Sequence, residues 1–204
     1  MTSRIQLPAP GASEGFAALL MNRRSVREYV DGALTLEELA RLFWAGQGIS
    51  HSSGKHTVPS PHALSPLTLY LAAGEVSGME QGLYMYEPRT NALEAVGHGD
   101  LRPPLYRAAL EDQPWVRFCA ALIIIAGDVA RTEQEFADQP PDGRRGRRYI
   151  YMEAGAAAQS IAIQAAELQL GSVFVGGFDD DAVRGCLGLD VEPLVLLPLG
   201  RTGT

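Results

Sequence analysis

Residues 150–171 read IYMEAGAAAQSIAIQAAELQLG, and no other feature of the 204-residue chain limits the fold so strongly. The spacing predicts one long helix closed by Gly171. Gly155 and the alanines leave little side chain along it, so a neighbour must pack closely. That neighbour is another helix, from the same chain or from a partner subunit. Gln159, Ser160 and Gln164 interrupt the helix and need hydrogen-bond partners wherever they are buried.

The flanking segments supply the rest of a core. Residues 14–25, EGFAALLMNRRS, predict a first helix ending near the arginines. LTLEELARLFWAGQGI predicts a second, with Thr35 as N-cap and Glu38 completing a capping box. Residues 51–66, HSSGKHTVPSPHALSP, predict a long loop of the kind that usually carries function. LTLYLAAGEV predicts a strand; GLYMYEP, RTN and ALEAVG predict a hairpin. DLRPPLYRAAL predicts a short helix with proline near its start. FCAALIIIAGD predicts a buried strand, and residues 129–149 a polar excursion. SVFVGGFDDDAVRGCLGL predicts strand, glycine turn and short helix, with Asp179 or Asp180 as cap, and EPLVLLPLG the last strand. This irregular alternation around an antiparallel hairpin implies an α+β class. The expected organisation is a loose arm over residues 1–13 and one domain over 14–204.

Charge and cysteine content exclude several functions. A net charge of −7 argues against general nucleic-acid or anionic-membrane binding. The longest apolar run, CAALIIIAG, is too short to span a bilayer, and the N-terminus has no apolar signal region. Cys119 and Cys186 match no metal or redox spacing, so a reducing cytoplasm is expected. Ser-His-Asp order, HExxH, Walker A and a strand-anchored GxGxxG are all absent.

Against that acidic background NRRSVREY gathers Arg23, Arg24 and Arg27 around Ser25. Either these residues cap the first helix and face water, or the guanidinium forks and the hydroxyl hold an anion. Arg201 follows the last strand and either returns to that site or ends as a free charge. Pro59, Ser60, Pro61, His62, Ala63 and Leu64 form a stiff stretch with few charges. It is either an ordinary surface loop or a platform for a planar ligand. Gly176 and Gly177 permit a turn with positive φ or a close backbone approach to a ligand.

Taken in order, these pieces resemble the nitroreductase family of flavin enzymes. NRRSVREY resembles the opening Arg-Arg-Ser-x-Arg motif of that family. PSPHALSPLTLYL resembles its flavin loop and strand, the 150–171 helix with SVFVGGFDD its central helix and glycine turn, and LLPLGR its closing strand. The resemblance spans residues 16–201 and is nearest to the SagB-type dehydrogenase subgroup, which oxidises azolines in peptides. It implies a central, mostly antiparallel sheet flanked by helices, in an intertwined homodimer with shared active sites. It implies FMN held by Arg23, Arg24, Ser25, Arg27 and Arg201 at the phosphate and ribityl end. Residues 59–64 of the partner and Gln159 would lie at the flavin, with Gly176 and Gly177 by its ring. NAD(P)H is the implied electron donor, with a small-molecule or peptide substrate. The sequence departs from the subgroup at Pro61, His62 and Ser65, and where the subgroup has a Lys-Tyr pair it has Glu135 and Phe136. His62 and Glu135 are the side chains left as candidates for catalysis, and a general flavin reductase is expected over azoline oxidation.

Overall fold

The structure is a computed structural model that describes residues 5–6 and 14–203. The expected arm over residues 1–13 lies outside the described residues except for Ile5 and Gln6.

A six-stranded sheet carries everything else. Its strands are β1 (Leu67–Ala73), β2 (Gly82–Glu87), β3 (Ala92–His98), β4 (Ala121–Gly127), β5 (Leu170–Ser172) and β6 (Glu192–Arg201). Their order is β3-β2-β1-β4-β6-β5, and every pairing is antiparallel. β4 is ALIIIAG and buried at all seven positions. Alternation sends its side chains to opposite faces. Ile123 and Ile125 join a core with α2 (Leu36–Gln47) and α6 (Gly146–Glu167). Leu122 and Ile124 join a second core with α3 (Arg102–Ala108), α4 (Trp115–Phe118) and α7 (Asp180–Leu187). A strand covered on both faces needs apolar residues at every position, which explains the unbroken run. The remaining helices are α1 (Gly15–Asn22) and α5 (Val129–Glu135). Among the described residues no helix is long and apolar enough to cross a membrane.

Helix α2 starts where its capping box predicts. The Thr35 hydroxyl accepts from the Glu38 N–H at 3.2 Å, and the Glu38 carboxylate accepts from the Thr35 N–H at 2.8 Å. The close neighbour of α6 is this helix: a Cβ added at Gly46 would lie 2.7 Å from the Ile161 side chain. Gly155, by contrast, has nothing beyond the backbone of its own helix within 4 Å of an added Cβ.

Three expectations need correction. The polar excursion contains α5, because Asp128 accepts from the Arg131 N–H at 2.9 Å and the helix buries Val129 and Thr132. α6 begins at Gly146 rather than residue 150, so the basic stretch forms its first turn, where Arg147 pairs with Glu133 at 3.0 Å. It ends with Leu168 and with Gln169 at φ 58°, while Gly171 belongs to β5.

Candidate functional site

The arginine segment is laid along one end of the sheet. Ser25 bridges Ser172 of β5, and the Val30 N–H donates to the Arg201 carbonyl of β6 at 3.1 Å. The Tyr29 hydroxyl donates to the Pro198 carbonyl at 3.2 Å and fixes the stretch from the other side. Arg24 donates to the carbonyls of Met21 and Arg23, capping α1, and the Arg27 guanidinium lies 5.3 Å from the centre of the Trp115 ring. Among the described residues neither Arg23, Arg24 nor Arg27 pairs with a carboxylate. Three guanidinium groups without a counter-charge on an acidic protein suit an external anion.

Arg201 is brought to the same edge but is committed differently. Its fork donates to both oxygens of Glu38, at 2.6 and 2.9 Å, and to the Ala33 carbonyl at 2.8 Å. Partial burial pushes the Glu38 carboxyl up, but the Arg201 and Thr35 hydrogen bonds outweigh it and hold the group below its ordinary value.

The glycine turn sits beside the second core. The Gly177 carbonyl accepts from the Leu110 N–H and the Gln113 amide, both at 2.9 Å. The N–H groups of Gly176 and Gly177 donate to no protein acceptor among the described residues. Neither residue has a positive φ, and nothing lies within 4 Å of a Cβ added at Gly176. Their lack of a side chain therefore answers no demand inside the protomer. It leaves two amide donors and open room for something outside it. Gln159 lies half-buried on α6.

Residues 59–64 form a tight, strained loop. Pro61–Ala63 make one turn of 3-10 helix, and His62, Ala63 and Ser65 all have positive φ, at 54°, 54° and 46°. Side chains with a Cβ rarely adopt that region unless neighbours hold them there. His62 brings its Nδ1 to 3.2 Å from the Glu135 carboxylate, so the two candidate catalytic groups meet across 73 residues of sequence. The His62 ring packs on Phe136 at 4.7 Å, and Phe136 packs edge-on against Tyr149. Phe136 is only 2% exposed. No hydrogen bond, ion pair or ring contact joins this loop to the arginine segment within the protomer, among the described residues.

The nitroreductase family model matches residues 20–201. The chain belongs to the nitroreductase family. A curated protein of Methanocaldococcus jannaschii, provisionally named a nitroreductase, is 37% identical over 183 residues, which cover 90% of this chain and 89% of that one. A solved structure from Ralstonia eutropha, also provisionally named a nitroreductase, superposes with a TM-score of 0.77 at 25% identity, covering 98% of this chain and 89% of that chain. A Desulfovibrio desulfuricans structure of the same provisional name, solved in complex with FMN, has a TM-score of 0.66 at 18% identity, covering 95% of this chain and 89% of that chain. The protein is thus an oxidoreductase of a family that typically uses FMN, and its fold is the nitroreductase fold.

Two buried polar groups beside these segments escaped the sequence reading. Glu153 is 3% exposed and faces the core from α6; burial pushes its carboxyl up to about 7, with the Ser60 side chain acting in the opposite direction. Its position is legible in hindsight, because it shares the buried face of Ile150, Ala154, Ala157 and Ile161. Trp115, under Arg27, has a buried indole N–H with no partner, and no local pattern marks it.

Proposed function

We propose that the protein is an FMN-dependent oxidoreductase that passes two electrons from NADH or NADPH to a small acceptor, a nitro compound, a quinone or similar. The order is ping-pong, with donor and acceptor using one open face in turn. The observation that carries this reading is the set of three arginines without a carboxylate partner at the head of the family match. Arg23, Arg24, Arg27 and Ser25 would hold the phosphate and ribityl oxygens. The free N–H groups of Gly176 and Gly177 would face the ring edge. Arg201 contributes by fixing the edge through Glu38 and Ala33. Bound FMN would supply hydride chemistry at N5, and the chain supplies binding, orientation and protons.

His62 and Glu135 are the groups able to hold and deliver that proton. Both are exposed, and they share one hydrogen bond. Azoline oxidation of a peptide finds less support, because Phe136 is buried and has no proton to give.

The site is shared between two copies in this reading. The loop at residues 59–64 does not reach the arginines of its own chain, and α6 leaves Met152 65% exposed next to the open space at Gly155. Phe16, Leu20 and Met21 of α1 are exposed as well. A second protomer on this face would cover all of them. A Cβ at Gly155 meets nothing beyond the backbone of its own helix, and leucine there raises helix propensity by up to about 1 kcal/mol. The G155L variant is therefore expected to fold, to scatter light as a monomer and to lose FMN. A G155L dimer with full flavin content would put the interface elsewhere. Both thiols are free, in keeping with a cytoplasmic setting.

The test of function is the visible spectrum of the purified protein, followed by anaerobic addition of NADPH and then NADH. Flavin bands that bleach support the reductase. Bands that persist with both donors sink the proposed electron source, and a protein that stays colourless with added FMN sinks the cofactor assignment.

A further inference from the structure

Gly176 and Gly177 stand in series, and glycine is the least restricted link a backbone has. Their N–H groups donate to no protein acceptor among the described residues. The turn is nevertheless pinned at one atom. The Gly177 carbonyl accepts two hydrogen bonds, from the Leu110 N–H and from the Gln113 side-chain amide, both at 2.9 Å. The Asp179 N–H donates back to the Ala108 carbonyl at 2.9 Å, so residues 108–110 and 177–179 form a short antiparallel bridge around Ala109 and Phe178. Phe178 is buried in the second core and anchors that bridge.

Gln113 reaches Gly177 because the connector between α3 and α4 doubles back. The same Nε2 donates to the Leu110 carbonyl at 2.8 Å. An amide nitrogen has two hydrogens, and both are committed. Both neighbours are carbonyl oxygens, so the nitrogen of the amide, not its oxygen, must face them. Glu111 and Asp112, inside this turn, have φ of 60° and 49° without being glycine. A backbone kept in a disfavoured region persists only where surrounding contacts over-determine it. Here the Tyr106 hydroxyl donates to the Asp112 carboxylate at 2.6 Å, and Gln113 ties the other side. Leu110, Glu111 and Asp112 are exposed, so core packing does not hold this conformation. Its hydrogen bonds do, and they set the Gln113 amide on Gly177.

We propose that Gln113 is a positioning residue for the glycine turn: together with the Leu110 N–H it holds the Gly177 carbonyl, and so keeps the Gly176 and Gly177 N–H groups turned to the open side as a preorganised pair of donors. Donors fixed in advance need no reordering when an acceptor arrives. That this acceptor is the flavin ring rests on the reading proposed above; the clamp does not.

The experiment compares the wild type with Q113E and Q113L, two side chains of similar size that lack the amide donor. In the flavin-free protein, amide hydrogen exchange at Leu110 is expected to quicken about tenfold in both at pH 7, while Ile123 of β4 exchanges as in the wild type. Unchanged exchange at Leu110 overturns the clamp, and so does equal quickening at Ile123, which would report general loosening. Lowering the pH from 7 to 5 separates the hydrogen bond from packing. A carboxyl facing two carbonyl oxygens is pushed up, and once protonated it donates again. Exchange at Leu110, taken relative to its intrinsic rate at each pH, should therefore return toward the wild type in Q113E and not in Q113L. Recovery in both variants, or in neither, overturns the role of the donor. Riboflavin, which lacks the phosphate, tests what the turn faces. A loss of riboflavin affinity in Q113L, matched by an equal loss for FMN, supports donors at the ring. Fast exchange at Leu110 with unchanged riboflavin binding leaves the clamp intact and overturns the placement of the glycine turn at the flavin.

Discussion

Replacing Arg23 and Arg27 together by alanine is expected to weaken FMN binding by about a hundredfold or more while leaving riboflavin binding nearly unchanged. The two ligands differ only in the phosphate. Each charge-assisted bond to phosphate contributes more than a neutral one, and a tenfold change in affinity corresponds to about 1.4 kcal/mol. Two such bonds, discounted for exposure, reach roughly a hundredfold. Arg24 is left in place because it also caps α1 through the Met21 and Arg23 carbonyls. Quenching of flavin fluorescence by the flavin-free protein measures both affinities. The loss should also shrink in high salt, because exposed charges are screened. Equal losses for FMN and riboflavin would move the arginines away from the phosphate. No loss for either would make them solvated helix-end charges, the alternative that the sequence leaves open.

Much of this fold was legible because local chemistry and tertiary demand agree. Thr35 and Glu38 mark the start of α2 by their own side chains. β4 announces itself because a strand covered on both faces has no polar position. The hairpin β2–β3 is set by six and seven residues around a short turn. What was not legible depends on residues far apart. α5 is polar over most of its length and is a helix because Asp128 caps it and two side chains reach the core. Arg201 looked like a free or anion-binding charge, yet Glu38, 163 residues away, takes its fork. Glu38 could be read as a capping residue, but its second task could not. The family resemblance named both halves of the site, yet only folding shows that the loop carrying His62 is tied to Glu135. Sequence order places those two groups on a loop and a helix end, with nothing local to join them.

The stability of the protein is expected to fall as the pH rises from about 4.5 to about 7, and Glu153 is the cause. Burial raises its carboxyl from the ordinary value of 4.5 to about 7, with Ser60 working in the opposite direction. Between those values the folded protein holds a proton that the unfolded chain has released. Raising the pH therefore favours unfolding until the folded carboxyl has also ionised. The full penalty is about 3 kcal/mol, since each tenfold change in proton affinity is worth about 1.4 kcal/mol. It is absent below pH 4.5 and complete above 7. Glu38 and Asp100 behave oppositely. Each is pushed up by burial, but Arg201 and Arg102 respectively hold it below its ordinary value. Their stabilisation is present above the unfolded value and is lost as the pH drops through the folded one, so it does not mask the Glu153 window. Urea midpoints of the flavin-free protein measured from pH 5 to 8 should decline for the wild type and decline less for E153Q, whose amide does not titrate. The difference between the two should widen with pH and level off above 7. Parallel profiles for the two proteins would mean that Glu153 is already ionised in the fold, with a donor on its Oε2 that the single chain does not provide.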